Sequence, residues 1–352
     1  MLEYTIRPTF IKIMKLQERI LLFATLGQEL SEQLASNALD ELLYTAKAKN
    51  PWFTIDNLKL SLAAIASKYL NKSVLASFCL EQNVQEPSVQ KQVGIVAAGN
   101  IPLVAFQDIL HTILCGHVAL VKPSSQDELL LIYVQSRLKS IDSRAVTYLQ
   151  LADRLNAADA YIATGSGNTS RYFEYYFATK PHIIRKNRTS LAVLNGTESK
   201  VEIANLANDI FMYFGLGCRN VSKLFVPKGY NFDHFFEGIE YWSTVNLHAK
   251  FFNNYEYMKA IYLVNNEPHL DNGFLLLKED SAMASPIAVL FYSFYTDLQE
   301  VEKYIEQHKE KIQLVTSKEG LLANSIPFGA SQEPEIDDFA DGVNTIEFLQ
   351  SI

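Results

Sequence analysis

Val93-Gly94-Ile95-Val96-Ala97-Ala98-Gly99-Asn100-Ile101-Pro102 opens with a short apolar run, 93–98, that ends at Gly99. A run of this length bounded by a turn reads as a strand rather than a helix. Residues 103–115 downstream carry helical spacing that Gly116 stops. Val118-Ala119-Leu120-Val121 is the next strand, closed by Lys122-Pro123, and residues 126–139 form another helix. Tyr161-Ile162-Ala163 then runs into Thr164-Gly165-Ser166-Gly167, and residues 169–177 open a further helix. Strand and helix alternating in this rhythm imply a parallel sheet with helices on its faces.

The same rhythm resumes after a gap. Leu191-Ala192-Val193-Leu194 reads as a strand with Asn195-Gly196 as its turn, 201–213 as a helix, and 223–227, 287–292 and 312–315 as strands, with a helix over 297–309. Residues 231–259 are aromatic-rich and helical in part. A second α/β unit therefore spans roughly 195–320. Upstream, 10–48 and 56–83 show helical spacing through Ile11, Leu16, Ile20, Leu30 and Leu34, as amphipathic helices preceding the first unit.

Composition narrows the function classes. The chain has 352 residues, enough for two ordinary domains, and is 48% hydrophobic and 20% charged, a globular balance. Its 31 basic residues against 39 acidic ones give a net charge of −8, and no dense basic run appears, which argues against a nucleic-acid partner. Arg185-Lys186-Asn187-Arg188 is the one compact basic cluster, readable as a solvated turn or as part of a pocket for a phosphorylated cofactor. Cys79, Cys115 and Cys218 are odd in number and widely spaced, so neither a disulfide framework nor a metal site is expected. Glu3, Arg7 and Lys12 break any signal-peptide pattern, and the apolar stretch 93–121 is interrupted by Asn100, Pro102, Gln107, Asp108 and His111. A cytoplasmic protein without stable membrane insertion is the expectation.

Cys218 lies in Phe214-Gly215-Leu216-Gly217-Cys218-Arg219-Asn220, and glycines at two of the three preceding positions supply backbone freedom that a structural cysteine does not need. A thiolate with a depressed pKa is the reactive form, and adjacent Arg219 is a candidate to stabilise it. His182, His234 and His248 would help only if the fold brought them near. Asn100 can offer its amide to a developing oxyanion or close an Asx turn on its own backbone. Lys122, Ser124 and Ser125 follow a strand, as do Thr164, Gly165, Ser166 and Gly167, so both turns fall on the carboxyl edge where open α/β sheets bind ligands. Each turn is equally readable as an ordinary strand-to-helix connection. The aromatic segments 172–177 and 235–252 suit a core, an interface or an acyl-chain tunnel.

In this order, the Asn100, Lys122, Gly165 and Cys218 segments resemble the aldehyde dehydrogenase superfamily, and within it the acyl-CoA reductases of the LuxC type. The resemblance implies an aldehyde dehydrogenase-like α/β fold: a Rossmann-like cofactor domain with N-terminal helices at 1–194, a second α/β catalytic domain carrying Cys218 at 195–324, and a C-terminal segment at 325–352 returning towards the cofactor domain or an interface. It implies Cys218 as nucleophile and Asn100 as oxyanion donor. Lys122 and Ser124 would contact the adenosine ribose, and Gly165 and Ser166 would start the pyrophosphate-binding helix. The water-activating Glu of oxidising relatives is replaced by the stretch Ile184-Arg185-Lys186-Asn187, which favours thioester reduction over aldehyde oxidation. Ser125 stands where many relatives carry the carboxylate that selects NAD, so NADPH is expected, with NADH as the alternative. Ala282-Met283-Ala284-Ser285-Pro286 lacks the Glu that holds the nicotinamide ribose in relatives. The implied activity is reduction of an acyl-CoA or acyl-carrier thioester, long-chain substrates included, to the aldehyde by a homo-oligomer. Aldehyde oxidation with another base, an acyl-accepting transferase subunit and a degenerate scaffold are the competing readings.

Overall fold

The computed structural model describes residues 13–165 and 167–352. Ile11 and Ser166 therefore lie outside the described residues. Four helices lead the chain: α1 (Leu16–Ala35), α2 (Asp40–Lys49), α3 (Ile55–Ala64), which runs on into a π-helical turn, and α4 (Lys72–Glu81). On α1 the buried positions Ile20, Phe23, Leu26 and Leu30 recur at helical spacing, so one stripe faces the core.

The first sheet is built from β1 (Gln92–Val96), β2 (Val118–Lys122), β3 (Leu149–Leu151), β4 (Ala160–Thr164) and β5 (His182–Arg185), with α5 (Phe106–Leu114), α6 (Glu128–Ile141) and α7 (Gly167–Phe177) between them. Its order is β3-β2-β1-β4-β5, and every neighbouring pair is parallel. Val96 is level with Lys122 on one side and Ala163 on the other, so the three turns singled out in the sequence leave the same edge. The chain runs outward from β1 through β2 to β3, then restarts at β4 on the opposite side. The order therefore reverses between β1 and β4, and such a reversal opens a crevice at the carboxyl ends of the strands.

The second sheet contains β6 (Thr189–Val193), β7 (Val221–Pro227), β8 (Leu270–Asp271), β9 (Leu276–Glu279), β10 (Val289–Tyr295) and β11 (Ile312–Ser317), with α8 (Lys200–Phe211), α9 (Phe232–Ile239), α10 (Ala249–Val264) and α11 (Leu298–His308). Its order is β11-β6-β7-β10-β9-β8, parallel except for the β8–β9 pair. The sheet break falls at residues 186–188. This moves β6, which the sequence division at 194 groups with the first unit, into the second sheet, because Leu191 to Val193 pair with Lys223 to Phe225.

Two large apolar cores result. One gathers α1–α6 and β1–β2; the other gathers β6, β7, β9, β10 and α8–α10. After β11 the chain crosses back. Asp209 on α8 accepts from the backbone N–H groups of Gly329 (2.7 Å) and Ser331 (3.0 Å), and Gln107 on α5 donates to the Ile336 carbonyl at 3.1 Å. Ile336, Ile346 and Leu349 then join the first core, the last two on α12 (Thr345–Gln350). Among the described residues no helix is long and apolar enough to cross a membrane.

Candidate active site

The loop after α8 is held in a strained shape. Tyr213 and Phe214 adopt φ of 53° and 58°, a left-handed conformation uncommon for bulky residues. The Phe214 ring stacks on His248 at 4.1 Å, and both Phe214 and Tyr213 are buried, which holds the bend. Buried Asn220 closes the loop: its amide donates to the carbonyls of Asp209 (3.0 Å) and Met212 (2.9 Å), and its Oδ1 accepts from the Gly217 N–H at 2.9 Å. Ser190, near the amino end of β6, donates to the Cys218 carbonyl at 2.9 Å. Across the gap, the Asn100 amide donates to the Leu216 carbonyl at 2.8 Å. A Cβ on Gly217 would stand 2.6 Å from Ile101 Cδ1, so close approach to the loop after β1 is what the glycine permits. Cys218 is thus exposed between the carboxyl edge of the first sheet and the amino edge of the second. It opens into a cavity of about 630 Å³ that Asn100, Thr164, Gly165, Arg185 and Asp341 also line.

The electrostatics differ from the sequence expectation of a depressed thiol. The Cys218 thiol is pushed up, first by the desolvating walls of the cleft and then by Asp341; Arg219 and Arg185 pull the other way. Arg219 is turned towards the C-terminal segment, where its Nε donates to the Ser331 carbonyl and its guanidinium lies 3.7 Å from Asp338. Arg185 makes a bidentate pair with Asp108, and the two are only 6% and 5% exposed. Its Nη2 also donates to Thr345 Oγ1 at 3.2 Å. Where oxidising relatives were expected to show a carboxylate, the cavity wall therefore presents a paired guanidinium. None of the three histidines lines the cavity: His182 bonds the Lys180 carbonyl, His234 the Glu198 carbonyl, and His248 the Pro51 carbonyl. Cys79 and Cys115 are buried, and burial pushes their thiols up to about 11 and about 12.

The expected cofactor residues split into two groups. Lys122 and Ser125 are exposed at the end of β2 and just after it, and Ser124 Oγ accepts from the Gln126 N–H at 3.3 Å. These three lie on the correct edge but outside the cavity lining. Thr164 and Gly165 do line it. The Gly165 N–H is already donated to the Arg185 carbonyl at 3.2 Å, so it is not offered to a phosphate. Gly165 is required instead by close packing: a Cβ there would stand 2.9 Å from the Phe173 ring. Gly167 begins α7. Ala284 and Ser285, in the stretch that lacks the ribose-binding Glu, reach the cavity. The aromatic segments do not: Tyr172, Tyr175 and Tyr176 are exposed on α7, and Phe235 and Phe251 sit in the second core. Sequence reasoning missed Asp341, because nothing in Asp341-Gly342 marks it and only the returning C-terminal segment carries it into the cleft.

Several solved structures share this architecture at low identity. Aldehyde dehydrogenase 21 from Physcomitrella patens, in complex with succinate, aligns with a TM-score of 0.69 at 12% identity, over 97% of this chain and 85% of that one. An aldehyde dehydrogenase from Mycobacterium tuberculosis, complexed with NAD+, aligns at 0.61 and 14% identity over 86% and 73% of the two chains. An NADP-dependent enzyme from E. coli aligns at 0.64 and 12% identity over 87% and 74%. No curated protein sequence matches the chain. The fold is that of the aldehyde dehydrogenases. The model of the acyl-CoA reductase (LuxC) family matches residues 71–235, from α4 past the Cys218 loop. Over those residues the chain is similar to the acyl-CoA reductases of the LuxC family, NAD(P)-dependent oxidoreductases that turn an acyl-CoA into the aldehyde.

Proposed function

We propose that Cys218 carries the acyl group and that NADPH is the reductant. The observation that supports this reading is the exposed Cys218 sulfur in a cleft at the carboxyl edge of the first sheet, beside an asparagine amide and a guanidinium. Cys218 attacks the thioester carbonyl, and the oxyanion is received by the second Asn100 N–H and the Cys218 backbone N–H. CoA leaves. A nicotinamide cofactor held at this edge of the sheet would supply the hydride. The thiohemiacetal on Cys218 then collapses to the aldehyde, so that acyl-CoA, NADPH and a proton give aldehyde, CoA and NADP+. With Arg185 where a water-activating carboxylate would stand, the acyl-enzyme survives long enough to be reduced.

The residues present suit a phosphorylated dinucleotide. The crevice lies between β1 and β4, Lys122 is exposed at the end of the neighbouring strand β2, and neutral Ser125 would not oppose a 2′-phosphate as a carboxylate would. The donor is a CoA thioester or an acyl-carrier thioester, and the protein works in the cytoplasm as a homo-oligomer. A panel of NADPH and NADH against acyl-CoAs of increasing chain length tests the reading. Aldehyde formation favouring NADPH, lost in Cys218→Ala, is the expected result. Fatty acid from aldehyde and NAD without CoA would overturn it in favour of oxidation.

A further inference from the structure

We propose that the Asp341 carboxylate is the proton acceptor, and then donor, for Cys218 during acyl transfer from CoA. The inference rests on Cys218 being the nucleophile. Asp341 and Cys218 line the same cavity, although one follows α8 and the other belongs to the C-terminal segment that crosses back between the two cores. The charged groups facing the sulfur are Asp341, Arg219 and Arg185. The two guanidiniums have no capacity to accept a proton. Among the described residues no histidine lines the cavity; of its three carboxylates Asp108 is locked to Arg185 and Asp338 is not among the groups facing the sulfur, which leaves Asp341 as the candidate base.

The backbone and the pairing of Asp341 set it apart from a structural carboxylate. Its φ is 60°, and Gly342 follows at 68°. A non-glycine residue held left-handed carries a cost that persists only where its surroundings enforce it. Asp108, by contrast, is locked bidentately to Arg185. Among the described residues the salt-bridge contact of Asp341 is a single, longer one, Arg188 Nε at 3.5 Å. That leaves lone pairs for another proton. The groups facing Asp341 are Arg188 in the link between the sheets, Arg185 on β5 and Asp108 on α5, besides Cys218. Burial raises its carboxyl, and the two arginines oppose that rise. The thiol is raised from its ordinary value as well, which disfavours thiolate, so attack by the sulfur calls for a base.

The step balances. The Sγ–C bond forms as the thiol proton passes to Asp341, directly or through one water. The C–S bond to CoA then breaks, and the same proton goes to the departing CoA sulfur. Carboxylate is regenerated, with acyl-enzyme and free CoA as products. After hydride transfer, collapse to the aldehyde releases Cys218 as thiolate, which takes up a proton again.

Two reactions of the same sulfur separate this proposal from a purely electrostatic role. Alkylation by iodoacetamide follows the thiolate alone; acylation by an acyl-CoA, read by mass spectrometry of quenched samples, requires the base as well. In the unmodified chain, acylation should rise with pH through the carboxyl's titration, well below the pH at which alkylation rises. Asparagine tolerates a left-handed backbone at least as well as aspartate, so Asp341→Asn keeps the loop. That variant should alkylate faster near neutral pH, because the charge opposing thiolate is gone. It should acylate roughly 10²–10⁴-fold more slowly, and Asp341→Glu should recover part of the loss. Coincident pH profiles in the unmodified chain, or a variant whose acylation quickens together with its alkylation, would overturn the proposal. An unmodified chain that alkylates at Cys218 but is never acylated would instead overturn the nucleophile assignment on which it rests.

Discussion

At the scale of single residues the cleft is a meeting of short reaches from distant parts of the chain. The Asn100 amide spends one N–H on Leu216 and has a second, which the proposed mechanism offers to the oxyanion. Asn100→Ala should therefore lower kcat by roughly 10²–10³-fold, about 3 to 4 kcal/mol in the transition state. Thiol alkylation by iodoacetamide should change little, which separates loss of the donor from collapse of the loop. A variant retaining full kcat would remove Asn100 from the chemistry. The loops that carry Cys218 and Asn100 stand out in the sequence because glycines and a Gly-Asn-x-Pro turn mark them. The raised thiol was not legible, since it depends on the walls of the cleft and on Asp341, neither of which is local.

Among the elements, the Arg185–Asp108 pair ties β5 to α5, and Thr345 attaches α12 to the same guanidinium. Removing one member of a buried pair strands the other charge, so Arg185→Met should destabilise by about 3–5 kcal/mol. The double variant Arg185→Met with Asp108→Leu should recover most of that in urea unfolding. Losses that simply add would contradict the pairing. His111, also on α5, stacks on Phe78 and is held neutral: burial lowers it from 6.5 to about 4. Below pH 6.5 the unfolded chain takes up a proton that the folded chain refuses until about pH 4, so this contribution to stability is lost as pH falls across that window. Buried Asp127, pushed up to about 8, acts with the opposite sign, keeping a proton that the unfolded chain gives up as pH rises. The difference between the wild type and His111→Gln isolates the histidine. The wild type should lose about 3 kcal/mol relative to the variant between pH 6.5 and 4; equal slopes would contradict a neutral buried imidazole.

The long alternation of strands and helices was readable at this scale because β1, β2, β4, β7 and β10 are apolar runs bounded by Gly or Pro. The strands β3, β5, β8 and β9 span four residues or fewer and escaped notice, since so few residues carry no period. The boundary at 194 erred by one strand because β6 looks the same whichever sheet it joins.

In the whole molecule, two sheets bring opposite edges to one cleft, and the C-terminal segment crosses back beside it with Asp341. Sequence pattern located the two units but could not bring that segment to Cys218, because the contact depends on the path of the returning chain. The proposed chemistry requires a covalent acyl-thiol at Cys218 that hydride discharges. Intact-mass spectrometry of the purified protein mixed with an acyl-CoA reads this directly, with peptide mapping to place the adduct. One acyl group on Cys218, absent in Cys218→Ala and discharged as aldehyde on adding NADPH, is the expected result. An adduct elsewhere, or one that decays to fatty acid at the same rate with or without NADPH, would contradict it.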